Sequence, residues 1–506
     1  MTLPAPDAPR GRPSTGLLIG CAALLLAAFA LRFGLALALP SQGRPDEVFQ
    51  NLEPAWRFLH GDGIITWEWR QGVRSVLFPG LLAGLIWLGE AMGWGPAGYL
   101  ALVWAVLSLV STAVVAVGMW FGWRAAGAGG AMLCGVLLGV WPDLVWLGPK
   151  TLVEVQAGHL LVLAMGLAAA TAPGAARIVG IGLLLGLCFA LRFLYAPAML
   201  VVAAWACRAS PSRWLLLALG ALLPVAALGL SDWIAWGTPF QTIWRLYQVN
   251  IEDGVPKEFG EALPPTWYLG RYTQLWGAAI LMLAAGVALG ARRAALPALV
   301  AAAVLIPHSL ISHKETSYVF AALPPLLIVA GVGTLHGLRW LDARLGENGP
   351  GWPRLVTYAT VGWLLVAMAT SGSGGFRPNW ANNAAHMQAS LALREESDLC
   401  GLVNYGRDPH WIGTGGTVWL GRAVPMHWAT TPSRLAEVGD AANYVLTDAR
   451  SLREIPQFPP LRCWEEEGGR NAICIARTEA TRCTPNGRHL LNDVPRLGRP
   501  TGVPPD

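Results

Sequence analysis

Apolar residues in this chain gather in unbroken runs of about 20, the length of α-helix that spans the hydrocarbon of a bilayer. The first run, 16–39, follows a short polar segment carrying Arg10 and Arg12. It is too long for the apolar part of a secretory signal and lacks a small-residue cleavage site, so it predicts a first transmembrane helix after a cytoplasmic tail, 1–15. Further helices are predicted near 97–121, 128–148, 151–172, 176–192, 194–208, 213–235, 271–291, 294–311, 316–336 and 355–372, about eleven in all. The run 76–94, interrupted by Pro79 and Glu90, is expected to lie in the membrane interface, because a crossing there would reverse the sidedness of every later loop.

Charge supports this path. With it, Arg124, Arg177, Arg208, Arg213, Arg292, Arg293, Arg339, Arg344 and Arg354 fall on the inner side, as the positive-inside rule requires. Loops 41–96, 148–151, 237–270 and 312–315 fall outside, together with the tail 373–506. The chain therefore divides into the inner tail, a membrane domain over 16–372 with a large outer loop at 41–96, and a polar outer domain. Stretches such as GGTVWLGRAVPMHW and NYVLTDA predict strands in that last part, hence a small mixed α/β fold.

Composition sharpens the picture. Of 506 residues, 54% are hydrophobic and 13% charged, about half the charge of an ordinary soluble domain. The net charge of +5 is scattered, with no basic patch interleaved with aromatics, which excludes a nucleic-acid partner. Lysine occurs only at Lys150, Lys257 and Lys314 in a chain rich in Ala, Gly and Arg, a usage that points to a GC-rich bacterial source and hence a multi-pass inner-membrane protein. Cys21, Cys134, Cys188 and Cys207 sit in apolar runs. Cys400, Cys463, Cys474 and Cys483 sit in the polar tail without paired C-x-x-C spacing, and predict two disulfides in an oxidising compartment, with three connectivities open.

Candidate chemistry lies in the first outer loop. Arg44-Pro45-Asp46-Glu47 stands just past a membrane helix, and Pro45 disfavours helix at residue 44. A carboxylate at that boundary is partly desolvated and suited to accept a hydroxyl proton. In isolation, P-D-E reads first as a helix N-cap, with Asp46 capping a helix that starts at Glu47.

Two distant segments join it. Pro45-Asp46-Glu47, Phe49-Gln50, Gly61-Asp62-Gly63, Thr66-Trp67-Glu68-Trp69, Gly72-Val73-Arg74-Ser75 and Pro79 together resemble the signature of the dolichol-phosphate-mannose-dependent mannosyltransferases. These are the GPI-anchor and N-glycan lipid mannosyltransferases of glycosyltransferase superfamily C. Asp232-Trp233 with Trp236-Gly237 and Asn250, and His313-Lys314-Glu315 followed by Pro324, resemble further segments of that family. The resemblance covers about 16–340. It departs at Lys150-Thr151-Leu152-Val153-Glu154, where family members often carry Arg-Thr-x-Ser-Asn.

The resemblance implies a superfamily C fold and transfer of a mannose-type hexose, with inversion, from a polyprenyl-phosphate carrier to an extracytoplasmic glycan or glycolipid. Asp46 would be the base, and Glu47 would orient the acceptor or share the charge. Charge grows on the leaving phosphate and needs cations; Arg74, Lys150, Arg192, His313 and Lys314 are the candidates. Arg32, inside the first helix, would hold a carboxylate or the carrier phosphate, or else pack on helix carbonyls. Arg44, Glu68, Asp232 and Glu315 belong to the same segments. Trp67 and Trp69 would stack on sugar faces or anchor at the interface. Glu154 is read as a partner for a basic residue, and His159 has no assigned role.

No P-loop, dinucleotide fingerprint or D-x-D motif occurs, so no cofactor or metal is expected and the donor is the lipid-linked sugar itself. Two other readings are transfer of a different lipid-linked sugar or glycan, and a lipid-glycan flippase. The flippase would predict inverted repeats, of which the sequence has none.

Overall fold

The computed structural model of the chain describes residues 14–170, 173–249, 262–406, 414–465, 472–480 and 482–493. It is a multi-pass helical bundle with a small α/β unit seated on one end. Among the described residues, six helices are long and apolar enough to cross a membrane: Thr15–Ala38, Pro96–Val140, Ala175–Cys207, Pro211–Trp236, Thr316–Asn348 and Trp352–Gly372. Shorter apolar helices, Leu77–Ala91, Val153–Ala168 and Ala295–Leu310, fill the bundle between them.

The path within these spans is more folded than their lengths suggest. Backbone at Ala126 (φ −154°) and Gly127 (φ 63°) leaves the helical region, a turn that Gly127 makes without steric cost. Beyond it Gly122 faces Gly130, and Gly118 meets the side chain of Leu138. A straight helix would separate positions 118 and 138 by about 30 Å, so the chain doubles back as two antiparallel helices, as the apolar pattern predicts. Ala175–Arg192 and Pro211–Trp236 run parallel, with Gly182 against Leu217 and Gly186 against Ala221. Ala196–Cys207 must then return between them.

Elsewhere the expected helices change shape. The single helix expected over 271–291 is two, Trp267–Trp276 and Ala279–Gly290, bent by 120° at a glycine with positive φ, Gly277. The helix expected from 316 begins as a 3₁₀ segment, Thr316–Ala322, and becomes α-helical at Leu323, with Pro324 and Pro325 in the first turn where no backbone donor is needed. Helix Leu77–Ala91 buries Phe78, Leu82 and Ile86 on one face and exposes Leu81, Trp87 and Leu88 on the other.

Glycine-to-backbone contact ties the bundle together, the close approach that lets apolar helices associate in lipid. A Cβ on Gly220 would lie 2.1 Å from the Val179 carbonyl oxygen, whereas one on Gly16 would meet nothing within 4 Å. Gly220→Val is therefore expected to cost about 1–3 kcal/mol or more through overpacking, and Gly16→Val almost nothing. Thermal unfolding of the two variants in detergent checks this.

The terminal unit holds a five-stranded sheet: β2 (Leu402–Tyr405), β3 (Met426–Ala429), β4 (Tyr444–Asp448), β5 (Pro460–Glu465) and β6 (Ala472–Arg477) in the order β3-β2-β4-β6-β5. β2 pairs in parallel with β3 and β4, and β6 is antiparallel to β4 and β5. Of the stretch GGTVWLGRAVPMHW, the Thr417–Leu420 part is a helical turn and only its end is strand, because Gly416 and Gly421 bracket it with positive φ. Disulfides join Cys400 to Cys483 and Cys463 to Cys474. A two-residue strand in the first loop, β1 (Gly63–Ile64), pairs antiparallel with β7 (Asn492–Asp493). This ribbon seats the sheet unit on the end of the bundle that carries the 41–96 loop.

Candidate active site

The chain leaves the first membrane helix at Leu39 and turns through 41–46 into a π-helical segment, Glu47–Leu52. Two buried carboxylates fix this loop. Glu47 Oε1 accepts from the backbone N–H groups of Gly43 (2.5 Å) and Arg44 (3.2 Å), and Oε2 lies 3.9 Å from Lys150 Nζ. Glu53 Oε1 accepts from Ile64 N–H (2.9 Å), and Oε2 from Val418 N–H in the terminal unit (3.1 Å). The loop is thus held below by an ion pair and above by the sheet unit.

Asp46 sits between these anchors at the cap position of the π-helix, yet its side chain makes no capping bond. Its backbone carbonyl accepts from Asn51 Nδ2 (2.9 Å), and no described side chain hydrogen-bonds its carboxylate. Burial pushes that carboxyl up to about 7; Arg74 opposes the shift, and Glu315, Glu154 and Glu68 reinforce it. An acid poised near neutrality with free oxygens is equipped to take a proton.

Its neighbours come from four separate segments. Arg74 Nη2 lies 3.8 Å from Glu68 Oε1, which also accepts from Gln50 Nε2 (2.9 Å). Arg192 Nη1 lies 2.9 Å from Glu154 Oε1, and its guanidinium stacks 4.8 Å over the Tyr318 ring. Arg74 and Arg192 line one narrow pocket of about 70 Å³ with Gln50, Asn51, Ser75 and Thr242. Each keeps a buried Nε without an acceptor. At the rim, Glu315 contacts Arg44 (3.6 Å) and His313 (3.7 Å). Burial pushes Glu315 up, but His313 and Arg44 outweigh it and hold the carboxyl below its usual range.

Other candidates are occupied elsewhere. Arg32 is fully buried and donates to Ser111 Oγ and to the carbonyls of Ala28, Leu138 and Gly139. It clamps helix carbonyls and pairs with no carboxylate among the described residues, since a guanidinium at membrane depth must find acceptors within its own bundle. Lys150 donates to Ser41 O and Oγ besides pairing with Glu47, so it braces the loop. Lys314 donates to the carbonyls of Leu263 and Ile311. Asp232 accepts from Thr242 N–H (3.0 Å) and Oγ1 (2.6 Å) at the start of helix Gln241–Tyr247. Trp69 is buried, packed perpendicular to Phe58 and tilted against Trp236. Trp67 is half-buried next to Glu68. His159 contacts Gln156 Oε1 at 3.2 Å and the edge of Phe320. Asn250 lies outside the described residues. Sequence reasoning did not single out Glu53, Asn51 or Thr242; the bond from Glu53 to Val418 spans 365 residues and leaves no local signal.

Comparison with known proteins agrees with this architecture. GPI mannosyltransferase 3 of Yarrowia lipolytica is 44% identical over 62 residues, 12% of each chain. That of Emericella nidulans is 32% identical over 110 residues, 20% of this chain and 17% of its own length. The alignable stretch is thus a small part of these relatives. ArnT from Cupriavidus metallidurans in its apo state superimposes with a TM-score of 0.56 at 14% identity, covering 93% of this chain and 99% of that one. The same protein bound to undecaprenyl phosphate gives 0.54, so the fold is shared even though sequence is not. The sequence also matches a family description over residues 23–126 and 135–373, most of the membrane domain and the whole site described above. By that match the chain is a member of the Alg9-like mannosyltransferase family.

Proposed function

We propose that the protein transfers a mannose-type hexose, with inversion, from a polyprenyl-phosphate carrier to an extracytoplasmic glycan or glycolipid. The observation that carries this is the Asp46 carboxylate, hydrogen-bonded by no described side chain and within electrostatic range of Arg74, which with Arg192 lines a pocket where each holds a buried Nε without an acceptor. Asp46 takes the proton of the acceptor hydroxyl as its oxygen attacks the anomeric carbon. The bond from that carbon to the phosphate oxygen breaks on the opposite side. The electron pair stays on the lipid phosphate, where Arg74 and Arg192 offset the growing charge. Glu47 positions the loop, and Glu315 with Arg44 and His313 forms the rim over which the acceptor enters. The undecaprenyl phosphate bound by ArnT supports a lipid-phosphate donor on this fold. The reading places the protein in a bacterial inner membrane with Asp46 facing the periplasm, the side to which the arginine distribution assigns the 41–96 loop.

Purified protein in lipid nanodiscs, given polyprenyl-phosphate-[¹⁴C]mannose and native lipid extract, is expected to yield a labelled glycolipid of inverted anomeric configuration. GDP-mannose alone is expected to yield none. Transfer from GDP-mannose without any carrier would overturn the reading, and transfer only from another lipid-linked sugar would replace mannose.

A further inference from the structure

A concentration of positive charge in the bundle lies far from Asp46. A cavity of about 480 Å³ opens at the opposite end, lined by Arg124, Arg292, Arg293, Arg339 and His336. Arg339 lies sixteen residues beyond Leu323 on helix Leu323–Leu345, about 24 Å of rise away from the Glu315 loop. No acidic side chain appears among the described lining residues.

The positive-inside rule accounts for arginines at this end but not for their gathering. Nine were assigned to it from the sequence, and four of those line this one cavity. Two are held in place by a carbonyl and an aromatic ring. Arg124 donates to Ala169 O (3.2 Å) and lies 5.1 Å over Trp120. Arg339 donates to Ala125 O (2.9 Å) and lies 5.3 Å over Trp352. Each guanidinium carries five N–H donors, so most of both forks stay uncommitted. Arg292 and Arg293 are exposed, and their guanidinium groups have no acceptor among the described residues. His336 is within electrostatic range of Arg293 and Arg339. Like charges gathered round a hollow repel one another unless an anion offsets them.

The rest of the wall identifies that anion's carrier. Leu296, Pro297, Val332 and Leu335 make one side apolar, and Trp205 stands 38% exposed at the mouth. A soluble anion would leave this side facing water. A phospholipid places its phosphate among the guanidinium groups and its glycerol and first acyl carbons on the apolar wall. We infer that this cavity is a binding site for the anionic headgroup of a glycerophospholipid from the leaflet opposite the active site. The assignment stands apart from the sugar transfer.

The test is native mass spectrometry of the full chain in detergent, titrated with phosphatidylglycerol, phosphatidylcholine or inorganic phosphate. Phosphatidylglycerol is expected to bind in preference to the other two. The Arg292→Gln/Arg293→Gln variant removes two charges and is expected to bind it about 30-fold more weakly. Arg177→Gln/Arg213→Gln, with the same charge change on the same face outside the cavity, is expected to bind as the wild type does. Ala295→Trp obstructs the cavity with every charge in place and is expected to weaken binding as well; an unchanged melting temperature without lipid shows that each variant folds. The inference fails if Arg292→Gln/Arg293→Gln or Ala295→Trp keeps full affinity. It fails equally if Arg177→Gln/Arg213→Gln weakens binding as much, or if inorganic phosphate binds as tightly as the lipid.

Discussion

Asp46→Asn is expected to cut sugar transfer by about 10²–10⁴-fold, the range a positioned general base contributes. The amide keeps the size of the carboxyl but cannot accept the acceptor's proton. Loss of folding does not explain such a result. Burial raises the Asp46 carboxyl to about 7 in the folded protein from 3.8 in a solvated chain. Between those values the folded state holds a proton that the unfolded chain has released, so folding stability falls as pH rises through the window. The neutral amide escapes that cost, and the variant should melt at or above the wild-type temperature at pH 8. The same shift sets the wild-type pH profile. The base must be ionised, so transfer should rise about tenfold per pH unit below 7 and level off above it. Initial rates from pH 5 to 8.5, with melting curves on the same samples, decide both points. A variant with full transfer activity, or a wild-type rate already flat from pH 5, removes Asp46 from the role of base.

The second large effect concerns Arg192. It forms a buried pair with Glu154 at 2.9 Å, both side chains under 10% exposed. Arg192→Gln leaves Glu154 charged, buried and unmatched, and removing one partner of such a pair costs about 3–5 kcal/mol. Glu154→Gln should cost a similar amount, because it strands the guanidinium. The double variant Glu154→Gln/Arg192→Gln can replace the ion pair with an amide pair and should regain most of the lost stability. It should not regain transfer, since the cation facing the donor pocket is still missing. Urea unfolding of the four proteins gives the coupling energy, and transfer rates on the refoldable ones separate the structural from the chemical role. A double variant as unstable as the sum of the singles would show that the two side chains act independently.

Much of the architecture is legible in the sequence because lipid imposes it. Twenty-residue apolar runs must be helices there, and the arginines at their ends fix which loops share a face. That rule alone puts Asp46, Glu154, Arg192 and Glu315 at one end of the bundle, where the structure has them. What the sequence withholds is which acceptor each cation finds. Lys150 and Arg74 look alike in a string of letters, yet one is committed to Ser41 and Glu47 and the other keeps a buried Nε free. Asp232 stands in a family motif, and only the fold of 237–242 reveals that it caps the next helix. The 120° bend at Gly277 is equally silent, since the apolar run on either side continues unbroken. Disulfide count follows from cysteine position, but the pairing of Cys400 with Cys483 over Cys463 depends on strand order.

The ribbon between β1 and β7 sets an order of events in the making of the protein. The loop bearing Asp46 emerges from the ribosome well before its strand partner, Asn492–Asp493, is made. Glu53 likewise waits for Val418 before its second oxygen is bonded. A nascent chain can therefore thread its helices into the bilayer while its reactive loop still lacks both braces. The loop gains both braces only once Val418 and Asn492–Asp493 have been made and docked against it.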